Sequence, residues 1–333
     1  MQRLLILILL FSLALTPVAL AQDDDSRPEI DDAVAWVIDN QLPDGGWGDG
    51  FSEGTSPGYT ADTIFALVSA GYTIDTIETD DGLDPLDYLA DYVSSAEGLT
   101  AGVTAKIITA LVALGADPAD FNGVDLVEVL LNAQDESGVY QDDLSGTFGH
   151  CLSMIAIHNA LGESEDAVLL DSLTSAAEAA ADLQNEDGGW GFALGVTSDT
   201  NTTALCIQGL AEVEDEIATG ALERALTYLA AIQNEDGGWP YQNPSDYGTD
   251  SDTSSTSLVY LALISVNADP DEWHAEASLE FILGLQNESG SYGLSDAFPY
   301  DNFISTIAVV PALMGTPYTD AYQLAMLETA ESE

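Results

Sequence analysis

Three aspartates recur at related places in the second half of the chain, Asp199, Asp252 and Asp301, at spacings of 53 and 49 residues. Each is followed by hydroxyl or amide residues: Thr200 to Thr203, Thr253 to Ser257, Asn302 and Ser305. A carboxylate in that setting can do two things. Just ahead of a helix it accepts hydrogen bonds from the exposed N–H groups of the first turn, worth about 0.5–2 kcal/mol. Facing an open space it offers an acceptor to a bound molecule, or a proton if its pKa is raised. Capping is the simpler reading. In the second reading Asn201, Tyr59, His150, Tyr247 and Tyr300 join the three aspartates around a ligand, with Phe148, Tyr260 and Phe303 as further aromatic wall. His150 and Cys151 are the one adjacent pair of soft ligands, a donor set zinc accepts. A helix-start histidine beside a buried thiol explains them without metal. The acidic runs Asp80-Asp81-Gly82-Leu83-Asp84 and 246–252 carry enough oxygens to leave Ca2+ open, although neither matches the EF-hand loop.

The elements that must position these groups announce themselves by repetition. Five times a glutamine precedes an aromatic ring by six residues: Gln41 with Trp47, Gln134 with Tyr140, Gln184 with Trp190, Gln233 with Trp239 and Gln286 with Tyr292. Successive glutamines lie 93, 50, 49 and 53 residues apart, and the first gap is about two of the others. A worn copy fills it, with Tyr88 in place and Val93 and Leu99 where glutamine and ring belong. Six units result. In each, an amphipathic pattern such as Leu222, Leu226, Leu229 and Ile232 ends at the glutamine, and an Asp-Gly-Gly or similar turn breaks it. A second pattern, richer in Ala, Thr and Ile, follows the ring after a polar loop. No alternating strand pattern intervenes, so the fold class is all-α with about twelve helices. Pro311 inside the last pattern predicts a kink or early stop.

Residues 1–21 read as a secretory signal: Arg3, an apolar run from Leu4 to Leu15, then Ala19-Leu-Ala21. That run is short for a membrane span and no later stretch supplies one. The expected organisation is a signal peptide at 1–21, an acidic leader at 22–27, the repeats at 28–322 and an acidic tail at 323–333, frayed from Glu328 to Glu333. An exported location follows. The formal net charge is −54, and without Arg3 only Arg27, Lys106 and Arg224 oppose the acids. Nucleic acid and anionic membranes would be repelled. Cys151 and Cys206 fall on neighbouring units about five helical positions out of step, which predicts free, buried thiols rather than a bridge.

Gln-x-x-x-Gly-x-Trp at a helix end resembles the QW repeat of the terpenoid cyclase and protein prenyltransferase superfamily, over about residues 28–320. The resemblance implies a closed (α/α)6 toroid, six inner helices around a cavity and six outer helices around them. The glutamines and rings then fasten the outer ring and carry no chemistry. Class II cyclases of that superfamily protonate their substrate with Asp-x-Asp-Asp-Thr-Ala. Here the counterpart is Asp199-Thr-Asn201-Thr202-Thr203-Ala204, with an amide where the proton donor belongs, and Asp252-Thr-Ser254-Ser255-Thr256-Ser257 departs similarly. The prenyltransferase zinc ligands are unmatched, since neither cysteine has an aspartate two residues before it, and Lys106 with Arg224 makes no basic patch. Complement-like thioester domains share the toroid but need Gly-Cys-Gly-Glu-Gln, which is absent. Secreted cobalamin carriers resemble the stretch from Leu114 to Pro118 loosely. The expectation is a monomeric, exported toroid without catalytic residues that binds a small molecule or a cell-surface partner in or at its mouth. A divergent cyclase, a carbohydrate-active lyase and a purely structural module stand as alternatives. Catalysis would demand a strongly raised carboxyl inside the ring, and an open solenoid would demand that the first and sixth units not touch.

Overall fold

The computed structural model describes residues 27–331 except Asp80, Ala96, Glu97, Asp143, Ser145 and Tyr247. Six helical hairpins follow one another: α1 (Pro28–Asp39) with α2 (Pro57–Ser69), α3 (Pro85–Ser95) with α4 (Ala101–Ala113), α5 (Leu126–Asn132) with α6 (Gly146–Leu161), α7 (Ala167–Leu183) with α8 (Thr200–Ala211), α9 (Glu216–Ile232) with α10 (Thr253–Ser265), and α11 (Ala275–Leu283) with α12 (Phe303–Met314). A final α13 (Ala321–Glu331) follows a short 3-10 turn at Tyr318–Asp320. Among the described residues there is no strand, only isolated bridges.

The even-numbered helices form the inner ring, each packing on the next from α2 to α12, and α12 packing back on α2. Each outer helix lies on the inner helix of the hairpin before it, and α1 lies on α12 in the same way. The first and sixth units therefore touch, and the ring is closed. Burial follows from position. Outer α1 buries one stripe, Ile30, Ala33, Val34 and Val37, whereas inner α4 buries nearly every residue from Ala101 to Ala113.

The repeated glutamine and ring are the fasteners. Trp47, Trp190 and Trp239 are fully buried, and their indole N–H groups donate to Val37, Ala180 and Leu229 at 2.7–2.9 Å. These are carbonyls near outer-helix ends, where the helix supplies no partner. Each glutamine amide donates to the carbonyl of the glycine four residues on, at 2.7–3.1 Å. Four also reach into the next unit, to Ser172, Ala221, Trp273 and, for Gln286, across the closure to Glu29 at 2.7 Å. Glycine is required in these turns, because Gly188 and its equivalents take φ near +90°.

A further partner in this device is absent from the sequence reading. The ring residue's backbone N–H donates to a hydroxyl one turn inside the following helix: Trp47 to Thr60, Trp190 to Thr203, Trp239 to Thr256 and Tyr292 to Thr306, at 2.9–3.0 Å. Unit three substitutes His150, whose Nδ1 accepts from Tyr140 at 3.2 Å. In unit two, where the ring is worn to Leu99, the hydroxyl of Thr104 is buried without a protein partner. Loop lengths between ring and hydroxyl vary, which hides the pairing in the sequence.

Two expectations are corrected. Cys151 and Cys206 form a disulfide between α6 and α8, with Cα atoms 4.7 Å apart, because adjacent inner helices place them level. Pro311 does not end α12, which continues to Met314 and stops at Gly315 with φ of 65°; with three residues left, the proline removes one donor near the end of the helix. Beyond the six hairpins, α13 runs through most of the acidic tail and packs against α4.

Candidate functional site

All six inner helices begin at one end of the ring, which makes that end the mouth, and the loops carrying the glutamine–ring turns surround it. The opposite end is closed by the segment ahead of α13. The ring of Tyr318 packs on Phe65 of α2 with centroids 4.7 Å apart. Its N–H donates to Gln208 of α8 at 2.9 Å, and its carbonyl accepts from Asn159 of α6 at 2.8 Å. Only a residue on the ring axis can meet three helices spaced so far around it. Side chains thus fill the floor of the lumen.

Nearer the mouth an ion pair joins two inner helices. Lys106 of α4 donates to Asp62 of α2 at 2.5 Å, and both are largely buried. The ammonium also lies 5.6 Å from the ring centre of Tyr59 and 6.0 Å from that of Phe148, distances at which a cation is attracted by the aromatic face. Burial raises the Asp62 carboxyl despite the ammonium beside it, and burial, with a smaller contribution from Asp62, pushes the Tyr318 phenol up. A buried pair of this kind is about neutral for stability against apolar residues of equal size. Sequence reading passed over it, treating Lys106 only as too solitary for a basic patch. The available signal was position: Asp62 and Lys106 are charges inside two otherwise apolar inner-helix patterns, equally far beyond the N-caps Ser56 and Thr100.

The recurring aspartates divide. Asp199 caps α8, accepting from the Thr202 N–H at 2.7 Å and its hydroxyl at 2.9 Å. Asp252 caps α10 in the same way through Ser255, at 2.8 and 2.7 Å. Asp301 does not correspond to them. Asn302 is the cap of α12, bonded to the Ser305 N–H at 3.0 Å, while Asp301 is exposed and accepts from Ser289 and Ser291. The register slips by one because the loop ahead of α12 has a different length. Asn201 sits in the first turn of α8 with its Oδ1 buried and without a protein partner.

The aromatic candidates scatter. Tyr59 is half-buried beside the ion pair. His150 is not at the mouth: it is fully buried, its Nε2 is 3.1 Å from the Ala176 carbonyl, and burial pushes its pKa down to about 4. With Cys151 in the disulfide, the soft pair is dissolved. Tyr300 is 77% exposed and stands clear of the lumen, and Tyr247 lies outside the described residues. Among the described residues no three His, Cys, Asp or Glu side chains converge as metal ligands would; Asp80, in one run considered for Ca2+, is outside them.

Burial raises both cap carboxyls to about 6, from 3.8, against the hydrogen bonds that lower them. The carboxyl that catalysis would demand is therefore present, but spent on the helix start. The shift is worth roughly 3 kcal/mol per group. A native carboxyl that holds its proton more tightly than the unfolded chain gives stability that is complete below about pH 3.8 and is lost as pH rises through about 6. The variant Asp199→Asn/Asp252→Asn copies the natural amide cap of Asn302 and cannot titrate. Its melting temperature is expected to fall less than that of the unsubstituted protein between about pH 4 and pH 7. Equal slopes would refute the assignment.

The chain matches the squalene-hopene cyclase C-terminal domain over residues 197–304 and the prenyltransferase alpha-alpha toroid domain over residues 3–239. No curated protein matches it by sequence. Among solved structures it is similar to an unsaturated glucuronyl hydrolase from Bacillus sp. GL1, at 13% identity and a TM-score of 0.61, covering 86% of this chain and 95% of that one. It is also similar to an unsaturated glucuronyl hydrolase specific for heparin, at 10% identity and 0.60, covering 90% and 97%. An ent-copalyl diphosphate synthase from Streptomyces platensis is 18% identical at 0.50, covering 80% of this chain and 50% of that one. At these identities the structures share the fold and nothing finer follows from them. The prenyltransferase match, over residues 3–239, spans well over half of a chain that closes six hairpins into a ring, so the protein belongs to the prenyltransferase alpha-alpha toroid domain family.

Proposed function

We propose that this is an exported, monomeric toroid without cyclase chemistry, and that it binds a partner at its mouth. The observation that carries this reading is the state of the acid positions. Asn201 stands where a proton donor would, and Asp199 and Asp252 give both carboxylate oxygens to their own helix starts. A floor filled by Phe65, Gln208 and Tyr318 leaves the mouth, with Tyr59, Asp62, Lys106 and Phe148, as the accessible part. The signal-like residues 1–21 support export, and the disulfide suits an oxidising compartment. Among the described residues no helix is long and apolar enough to cross a membrane.

A second reading is favoured by the raised carboxyls together with the likeness in fold to glucuronyl hydrolases. Sugar hydrolysis would use one protonated carboxyl as acid and another as base. The purified protein is to be incubated separately with squalene, geranylgeranyl diphosphate and an unsaturated glucuronyl disaccharide. No product is expected from any of them. A product whose formation disappears in Asp199→Asn would overturn the non-catalytic reading.

A further inference from the structure

The exposed aromatic side chains are not spread over the surface. Phe51, Phe192, Tyr241, Phe298 and Tyr300 are the exposed ones among the described residues, at 42–77%, and all lie on loops leading into inner helices. Leu144 and Leu194, 74% and 76% exposed, lie on the same set. The mouth is thus rimmed by apolar groups from five of the six units; other exposed aliphatic side chains, such as Val168, Ile217 and Leu327, lie on α7, α9 and α13, but none of the exposed aromatic rings does. Single exposed apolar residues need no explanation, but a rim of them on one face marks an interaction surface.

The charge between these groups is of one sign. None of the six connections leading into the inner helices contains a lysine, arginine or histidine. The three cations outside the first residues lie on none of these connections: Arg27 bonds the Ala70 carbonyl at the floor end, Lys106 is paired within the ring, and Arg224, on outer α9, has its guanidinium taken up by Gln184 at the start of the connection into α8. Two clefts open between successive loops. One, of about 630 Å3, is lined by Glu235, Asp236, Asp250 and Asp296 with Phe281 among others, and a second, of about 280 Å3, is lined by Thr197, Gln242 and Asp246 among others.

We propose that the mouth end docks a cationic, amphipathic polypeptide, its apolar side chains on the exposed rim and its basic side chains in the clefts between loops. The proposal rests on the reading of the mouth as the binding face and names its partner. Charge complementarity selects the occupant. A second copy of this chain would bring only more carboxylates, and a bilayer offers no pattern of cations to match the four carboxylates of the larger cleft and Asp246 in the smaller one. A polypeptide places basic side chains at intervals and can reach more than one cleft at once.

The probe is a short helical peptide of Lys and Leu, titrated calorimetrically into the protein at several salt concentrations, with a Glu and Leu peptide as control. Binding is expected for the first peptide only, weakening as salt rises. Asp250→Asn/Asp296→Asn is expected to weaken it about tenfold at low salt and to flatten the salt dependence. Leu194→Ser/Tyr300→Ser is expected to weaken it at least about tenfold at all salts. Glu163→Gln/Glu165→Gln, at the floor end, should change nothing. Equal loss in the floor variant, or no effect of the mouth variants, would mean unspecific attraction to an acidic protein and would overturn the proposal. Phosphatidylcholine vesicles that bind in place of the peptide, and cease to bind Leu194→Ser/Tyr300→Ser, would overturn the polypeptide and leave the mouth standing. Failure of both probes would remove both.

Discussion

Trp190→Ala is expected to cost about 4 kcal/mol of stability or more, among the largest effects of any single substitution in the chain. Replacing a fully buried tryptophan by alanine typically costs about 3–5 kcal/mol, because transfer energy is lost and the cavity collapses only in part. Trp190 adds hydrogen bonds that the cavity argument omits. Its indole N–H satisfies Ala180 at 2.7 Å, near the end of α7. Its backbone N–H meets Thr203, and its carbonyl receives the N–H of Asp199, the cap of α8. Loss of the ring removes the indole bond outright and unpins the turn whose backbone, kept in alanine, holds the start of α8. Urea unfolding followed by far-ultraviolet circular dichroism measures it. Trp190→Phe keeps most of the volume and removes the indole donor, so it should cost about 1–3 kcal/mol. Leu194→Ala, four residues away and exposed, should stay within about 0.5 kcal/mol. A cost for Trp190→Ala no greater than that for Leu194→Ala would refute the fastening role.

That role was legible because it is periodic. Glutamine, glycine and ring keep fixed distances within one turn, and a turn is local, so the sequence carries both the unit and its number. The closure is not local, yet it follows from the same device: Gln286 treats Glu29 as the next unit's carbonyl, as Gln233 treats Trp273. What escaped reading was whatever depends on the variable loops between ring and inner helix. The hydroxyls of Thr60, Thr203, Thr256 and Thr306 answer the rings across loops of different length, and Asn302 replaces Asp301 for the same reason. The ion pair of Asp62 and Lys106 escaped for another cause. Each half stands out as a charge in an apolar helix pattern, but the halves sit on different helices and nothing in the sequence pairs them. Only the packing of α2 on α4 brings a lone lysine to a lone aspartate.

The disulfide shows the same limit, and its removal is the second large effect. Counted from the glutamines, Cys151 and Cys206 are five positions out of step. Gly146, where α6 starts, lies 12 residues beyond Gln134, whereas Thr200, where α8 starts, lies 16 beyond Gln184. The longer loop absorbs most of the offset before either helix begins, and the two cysteines come level on neighbouring inner helices. The bridge spans 55 residues of chain, and in the chain-entropy account such a crosslink is worth roughly 4 kcal/mol through the unfolded state. Cys151→Ala/Cys206→Ala is therefore expected to lose about 2–5 kcal/mol in urea unfolding. Both sulfurs are fully buried, so reductant should leave the native protein intact and act once urea opens the ring. Thermal melts in reductant should then match those of the double alanine variant. A variant as stable as the parent in oxidising buffer would mean that the inner ring holds α6 against α8 without the covalent link, and would strip the bridge of its energetic role.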